Sequence, residues 1–440
     1  MKTTKRAYSG KPVYIIDGNR TPFLKADGKS EKFSASDLAM TTSRALLLRQ
    51  GFDASDIDEV IFGCVMPGPD EANIARIIAL RLGCDENTTA WTVQRNCASG
   101  MQAIDSAAQS ISQGRADLVL AGGTESMSLA PVLFNQLMVN WLSSWARSRN
   151  VSSKLQTAFK FRLAMLSPII GLLRGLSDPV VGLSMGQTAE KLAFRFGITR
   201  EQMDQFSLQS HQRLANAHDQ GRMKEVTPIY DSNGHYYIED TGLRRDGSLE
   251  KLARLKPAFD KKFGLVSAGN SAQITDGAAS LFLASESAVK KHKLAPMARL
   301  MDTQWAGLDP SQMGLGPVHA MTPIMKRNKL SIDDIDFWEI NEAFSAQVLS
   351  CQKAWTDTEY CQQELGLKEP MGFIPEDKLN IDGGGVSIGH PVGASGARIV
   401  LHLVNTLHQC DANRGMASLC IGGGQGGAML IEKTEGTSHE

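Results

Sequence analysis

The chain has 440 residues, long enough for two or three domains around a large buried core. A formal net charge of −1 gives no global field toward nucleic acid or membrane, and no nucleic-acid partner is expected. Seven cysteines, an odd number without a C-x-x-C pair, argue against a disulfide frame or zinc site and for reduced thiols in a cytoplasmic compartment.

The opening run MKTTKRAYSGKPVYIID is basic but lacks the apolar core of a secretory signal. It leaves little room for a mitochondrial presequence, and the closing GTSHE is not a peroxisomal address. VYIID (13–17) reads as the first strand. SDIDEVIFGCV (55–65) reads as an acidic turn, a strand and a loop. NCASG (96–100) then places Cys97 at the start of a helix, where backbone N–H groups and the helix dipole favour thiolate. A lone cysteine is more often an inert core residue, so Cys97 stands at this point as either.

Residues 126–177 contain no Asp or Glu, while Arg147, Arg149, Lys154, Lys160, Arg162 and Arg174 supply positive charge. The same stretch carries Trp141, Trp145, Phe159 and Phe161, followed by LAMLSPIIGLLRGL. It fits either an ordinary helical insertion or an interfacial, partner-binding surface. Pro168 and Arg174 break the apolar run, so it is not read as membrane-spanning. Residues 185–223 are strongly helical, with TREQ (199–202) as a capping box. His211 and His218 are placed on helix surfaces.

The second part of the chain repeats the first. ARLMDTQWAGLDP (298–310) answers VYIIDGNRTPF, and SIDDIDFWEINEA (331–343) answers SDIDEVIFGCV. Both 96–127 and 392–429 run x-A-S-G, apolar-periodic helix, polar turn, short β-rich run, glycine cluster. The fold class is therefore α/β: two duplicated halves with mixed, largely parallel sheets and helices between and outside them. The expected division is 1–127 with 266–290 as the first half, 128–265 as an inserted loop domain, and 291–440 as the second half. Within the repeat, GGGVSIGHPVGASG (383–396) puts His390 in a glycine-rich turn. Pseudo-twofold symmetry would bring it to Cys97 as a base for a nucleophile. SLCIGGGQGG (418–427) sets Cys420 at a strand end before a loop able to aim N–H groups at an oxyanion. EINEAFSAQ (339–347) sets Asn341 at another strand end, where a cap or turn role competes with a functional one.

NCASGMQAI, NEAF, GGGVSIGHPVGASGAR and CIGGGQGGAM, with AGGTESMS and SAGNSAQITDGAA, together resemble the thiolases over nearly the whole chain. The resemblance implies the thiolase fold, layered α-β-α-β-α. It implies Cys97 as acyl-accepting nucleophile, His390 as its activator, and Cys420 as the acid/base at the substrate α-carbon. Asn341 would fix a water forming one oxyanion hole with His390, and the N–H groups of Cys97 and Gly422 would form the other. Ala268, Gly269, Ala343 and Phe344 match positions lining the pantetheine channel of coenzyme A, with the inserted domain as cover.

Two departures stand out. A serine common after AGN falls on Ala272, beside Ser271. A histidine common before MG in short-chain biosynthetic thiolases is Ser184 here, which is closer to degradative 3-ketoacyl-CoA thiolases. The basic-apolar insertion resembles thiolase subunits of fatty acid oxidation complexes. The implied activity is acetyl-CoA C-acyltransferase in β-oxidation, with coenzyme A as substrate and neither metal nor redox cofactor. The alternatives are a biosynthetic acetoacetyl-CoA thiolase, a ketoacyl synthase of the same fold, and a non-catalytic thiolase-like lipid-binding protein. The implied assembly is a homodimer or tetramer, with a hydratase/dehydrogenase subunit or a peripheral membrane contact through 128–177.

Overall fold

The computed structural model describes residues 10–26 and 33–434; the basic residues 1–9 and the closing GTSHE lie outside the described residues. The strands that carry the fold are β1 (Val13–Arg20), β2 (Glu59–Gly63), β3 (Thr89–Val93), β4 (Leu118–Ser126), β5 (Thr275–Ser285), β6 (Ala298–Gly307), β7 (Phe337–Ile340), β8 (Arg414–Ile421) and β9 (Gln425–Lys433). They form one sheet in the order β7-β8-β9-β6-β1-β5-β4-β2-β3, with a short strand, Leu24–Lys25, beside β5. The halves meet where β1 pairs with β6, Tyr14 opposite Arg299. Outward from that seam, β5, β4 and β2 mirror β9, β8 and β7.

The sheet is mixed, but parallel pairing is confined to β2–β3, β2–β4 and β7–β8. The remaining pairs are antiparallel, against the largely parallel sheets expected. The physical reason is the last strand of each half. β9 returns on β8 through a short glycine turn, which only antiparallel neighbours allow, and β5 runs back along β4 in the same sense.

The duplication is visible in a detail of the first strand of each half. Both β1 and β6 carry a register shift, between Ile15 and Asp17 and between Leu300 and Asp302. The aspartate after each bulge is gripped by an arginine near the end of the half's first helix. Arg49 Nε donates to Asp17 at 2.7 Å, and Arg327 Nη2 donates to Asp302 at 2.8 Å.

Helices fill three layers. α1 (Ala35–Leu47) and α2 (Ile74–Leu82) cover the outer face of the first half. α3 (Ser99–Ser112) and α10 (Val392–Gln409) lie in the middle, between strands of both halves. α8 (Gly316–Asn328) and α9 (Ser345–Thr356) cover the outer face of the second half. The stacking is α-β-α-β-α. Of the 18 residues of α10, 15 are buried, so this helix is interior on every side. The repeated A-S-G explains how α3 and α10 fit. A Cβ at Gly100 would stand 2.8 Å from Ala397 N, and one at Gly396 would stand 2.6 Å from Met101 N. Only glycine permits so close a backbone approach.

Residues 128–265 hold α4 (Gln136–Arg147), α5 (Val151–Ala158), α6 (Met185–Phe196) and α7 (Arg200–Asp219). Thr199 and Gln202 form the expected capping box on α7. The two histidines of α7 are not on its surface. His211 is buried and accepts from Arg244 N at 3.2 Å, and His218 lies 3.8 Å from buried Asp240. The cause is the segment around 240–247, which folds back over α7.

A buried charge network fastens the insertion to both halves. Arg20 at the end of β1 donates to Asp240 at 2.7 Å, and Glu225 lies 3.7 Å from Arg20 Nε. His402 of α10 contacts Glu225 at 2.8 Å and Asp382 at 3.4 Å, and Arg222 pairs with Asp382. Burial alone would neutralise His402. The surrounding carboxylates, Glu225 foremost, instead raise it to about 10, and His402 with Arg20 holds Glu225 down to about 2 despite its burial.

The sign of the linkage follows. The His402 contribution is complete below its unfolded value of about 6.5 and fades as pH climbs through 10. The stability gap between wild type and His402→Gln is therefore expected to be widest below pH 6.5 and to close toward pH 10. Chemical denaturation across that range measures it; a gap that stays constant with pH contradicts a charged His402.

Candidate active site

Cys97 sits immediately before Ala98, the N-cap residue of α3, in a turn where Asn96 holds a positive φ of 44°. Asparagine is among the few side chains that tolerate this conformation. Ser99 stitches the turn: Arg95 N–H donates to Ser99 Oγ at 2.8 Å, and Ser99 Oγ–H donates to Asn96 O at 2.7 Å. The second half reaches the same turn through Gly422, just past β8. Asn96 Nδ2 donates to Gly422 O at 2.8 Å, and Gly422 N–H bonds to the Cys97 sulfur. Cys420, two residues earlier, is buried, and a charge on Cys97 acts on it directly. The two thiols lie within electrostatic reach of each other.

The electrostatics differ from what the helix start suggests. Burial pushes the Cys97 thiol up, and the N–H groups of Gly422 and of Cys97 itself offset only part of this. The charge of nearby Glu125 adds to the rise. Cys420 is pushed well above an ordinary thiol, by burial first and by Cys97 second. Desolvation outweighs the dipole, so Cys97 rests as a thiol and any nucleophilic role needs a base.

His390 lies in the turn between the one-turn helix Gly385–Ile388 and α10, two residues short of the helix rather than on it. Its N–H donates to Gln273 O at 3.1 Å. Its Nδ1 stands 2.6 Å from Ser395 Oγ, whose hydroxyl donates to Pro391 O at 3.0 Å. The serine proton is thereby spent on the carbonyl, so Nδ1 carries the imidazole proton and Nε2 the lone pair. Nε2 is buried and has no hydrogen-bond partner among the described residues. Burial, and then the charge of Arg398, hold His390 down to about 4, so it is neutral at physiological pH. The Asn341 amide lies 3.5 Å from Nδ1. His390 and Cys97 each precede, by three residues, the glycines Gly393 and Gly100, where the first turns of α10 and α3 touch.

Ala343 and Phe344 are buried in one apolar cluster with Cys420, and Phe344 meets Phe259 edge-on at 5.9 Å. Ala268 and Gly269 stand apart from these. They line a cavity of about 190 Å³ together with His211, Arg244, Lys251 and Gln273. Ala272 N–H donates to Ala343 O at 3.0 Å and joins the two groups. Ser271 gives its hydroxyl to Ser267 O at 2.7 Å, so it does not replace the hydroxyl absent at Ala272.

Three polar residues at the site were not singled out from sequence as supports. Ser395 orients His390; its signal is the A-S-G repeat itself, five residues after the histidine. Glu342, read only as a neighbour of Asn341, accepts from Ser210 Oγ at 2.7 Å, Asn380 Nδ2 at 2.9 Å and Val386 N at 3.2 Å. It ties the strand end bearing Asn341 to the turn bearing His390. Glu125, in AGGTESMS, is buried within electrostatic reach of Cys97 and carries no local signal. Among the described residues, no cluster of three or more His, Cys, Asp or Glu side chains could hold a metal ion.

The chain is similar to known proteins over nearly its whole length. The beta subunit of the mitochondrial trifunctional enzyme of Bos taurus is 35% identical over 421 residues, covering 96% of this chain and 88% of the relative. The crystal structure of human mitochondrial 3-ketoacyl-CoA thiolase superposes with a TM-score of 0.82 at 36% identity, covering 96% of this chain and 99% of that one. That of Bacillus anthracis acetyl-CoA acetyltransferase superposes with a TM-score of 0.83 at 35% identity, covering 97% and 100%. The family model for the thiolase N-terminal domain matches residues 13–287 and that for the thiolase C-terminal domain matches 294–433, so the chain belongs to the thiolase family of acyltransferases.

Proposed function

We propose that this protein is a degradative 3-ketoacyl-CoA thiolase, which splits a 3-ketoacyl-CoA with coenzyme A into acetyl-CoA and a shortened acyl-CoA. The observation that supports the reading is the half-buried Cys97 within electrostatic reach of the buried Cys420, with the neutral His390, whose Nε2 has no hydrogen-bond partner among the described residues, just before the adjoining helix.

In the first half-reaction His390 Nε2 takes the Cys97 proton, and the sulfur attacks the C3 carbonyl carbon. The C2–C3 bond breaks, its electron pair leaves on C2 as the enolate of acetyl-CoA, and the Cys420 thiol protonates C2. In the second, the Cys420 thiolate takes the proton of incoming coenzyme A, whose sulfur attacks the acyl-enzyme, and Cys97 leaves with the proton held by His390. Oxyanions form at both stages. Gly422 N–H and Cys97 N–H serve one site, and a water held by Asn341 beside His390 serves the other. Ala268, Gly269, Ala343 and Phe344 border the route of the pantetheine arm, and residues 128–265 cover it.

A second reading, acetyl-CoA C-acetyltransferase, draws on the likeness to the Bacillus anthracis enzyme. Ser184 weighs against it: it serves as the N-cap of α6, accepting from Gln187 N at 3.3 Å. Thiolysis of 3-ketoacyl-CoAs of graded chain length separates the two. Activity confined to acetoacetyl-CoA defeats the degradative reading.

The acid-free stretch exposes its apolar side chains. Phe159 is 88% and Leu163 80% exposed, while Trp141 and Trp145 stack at 5.5 Å. No helix among the described residues is long and apolar enough to cross a membrane. This face is assigned to a hydratase/dehydrogenase partner subunit or an anionic membrane surface, in keeping with the subunit named in the bovine relative. The protein is placed in the cytoplasm as a homodimer or tetramer.

Cys97→Ala is expected to lower thiolysis by at least about 10³-fold and to leave no acyl adduct in intact-mass spectra. An adduct on another cysteine refutes the assignment. Cys420→Ala should slow exchange of acetyl-CoA α-hydrogens by about 10²–10⁴-fold while acylation of Cys97 proceeds; deuterium exchange and acyl-adduct formation, measured side by side, report the two. Replacing Arg147, Arg149 and Lys154 with Glu should weaken partner or vesicle binding, by about 1 kcal/mol per charge at an anionic surface. Thiolysis of a short substrate should persist, and binding equal to wild type would leave the stretch as packing.

A further inference from the structure

Glu125 is a fully buried carboxylate near the end of β4, with no cation within ion-pair distance among the described residues. Three backbone N–H groups converge on it instead. Oε1 accepts from Met66 N at 2.9 Å, and Oε2 accepts from Val65 N at 3.0 Å and from Gly393 N at 3.0 Å. Cys64 Sγ lies 3.6 Å from Oε1. Val65 and Met66 belong to the loop after β2, whereas Gly393 is in the first turn of α10, three residues past His390. A Cβ at position 393 would stand 2.8 Å from the carboxylate oxygen and 3.1 Å from Cys64 Cα, so glycine there is what lets the carboxylate reach the helix N–H. One side chain of the first half thus grips the His390-bearing element of the second, within electrostatic reach of Cys97.

We infer that Glu125 is a positioning residue for acyl transfer, its carboxylate clamping the first turn of α10 so that His390 is held in register with Cys97. The inference rests on the proposed thiolase reading. The grip is costly to build. Burial drives the carboxyl up to about 7 against the pull of the three N–H groups, and its charge opposes a thiolate on Cys97. A purely structural site would be served by a neutral acceptor. A carboxylate offers two acceptor oxygens and favours the N-terminal end of a long helix.

Glu125→Gln keeps the shape but puts an NH2 where one oxygen accepted N–H groups. The two consequences have opposite directions. Register loosens, and kcat is expected to fall about 10–100-fold, as misplacement of reacting groups by a fraction of an ångström to an ångström does, with KM within twofold. At the same time the charge beside Cys97 is gone, so the pH profile of Cys97 alkylation by iodoacetamide should move to lower pH. The other titratable groups of the site, Cys420 and His390, are unchanged. Glu125→Asp keeps the charge but is one methylene short. It should lose kcat with the alkylation profile of wild type, and it serves also if the Gln variant does not fold.

An unchanged kcat in either folded variant overturns the inference, and so does a kcat loss in Glu125→Gln without the alkylation shift. Wild-type thiolysis is the control for the underlying reading. If wild type does not cleave 3-ketoacyl-CoA, that reading fails, and the alkylation profiles alone, shifted in the Gln variant and unshifted in the Asp variant, decide whether the Glu125 charge acts on Cys97.

Discussion

The structure turns on one contact: the backbone of α3 against the backbone of α10, at Gly100 and Gly396. Two helices this close cannot carry side chains at the crossing, and the approach fixes both rotation and offset. Because the contact is at the first turns, the loops entering the two helices emerge at the same end of the middle layer. The strands around them bury what remains of their surfaces, so the pair cannot slide without disrupting the core on both sides. The local geometry of Cys97 and His390 is inherited from this crossing.

The chemistry of the pocket follows from its dryness. His390 and the two cysteines all rest in their neutral forms because burial disfavours charge more than the nearby N–H groups favour it. A site of neutral groups holds no resting ion pair. The contrast lies a short way along α10. There His402 is charged at physiological pH among carboxylates, and it fastens residues 128–265 to α10 through Glu225. An uncharged histidine just before the helix and a charged one along it thus differ only in what surrounds them.

Much of this could be read from the sequence. The order of motifs, the x-A-S-G repeat and the TREQ cap are local patterns, and local patterns survive folding. The strand directions were misjudged because a helix preceding a strand suggests a crossover, while each half closes with an antiparallel return. His211 and His218 were misplaced because a segment some 30 residues away covers α7, which no periodicity records. The Cys97 thiol was expected to be lowered because the helix start is visible in sequence and desolvation is not. Glu125 was passed over since its partners are backbone N–H groups from two distant segments, which leave no trace in residue identity.

The bulged strands with their matching Asp17–Arg49 and Asp302–Arg327 clamps show two copies of one scaffold joined in a single chain. Two identical subunits placing a pocket on their twofold axis must offer it the same residue from each side. Covalent fusion removes that obligation. Each copy can then drift independently, one keeping a cysteine in its N-C-A-S-G turn and the other presenting a glycine there and a histidine three residues upstream. The asymmetry that acid–base chemistry requires is obtained from a symmetric frame, and the symmetric positions that remain mark where the frame itself tolerates no change.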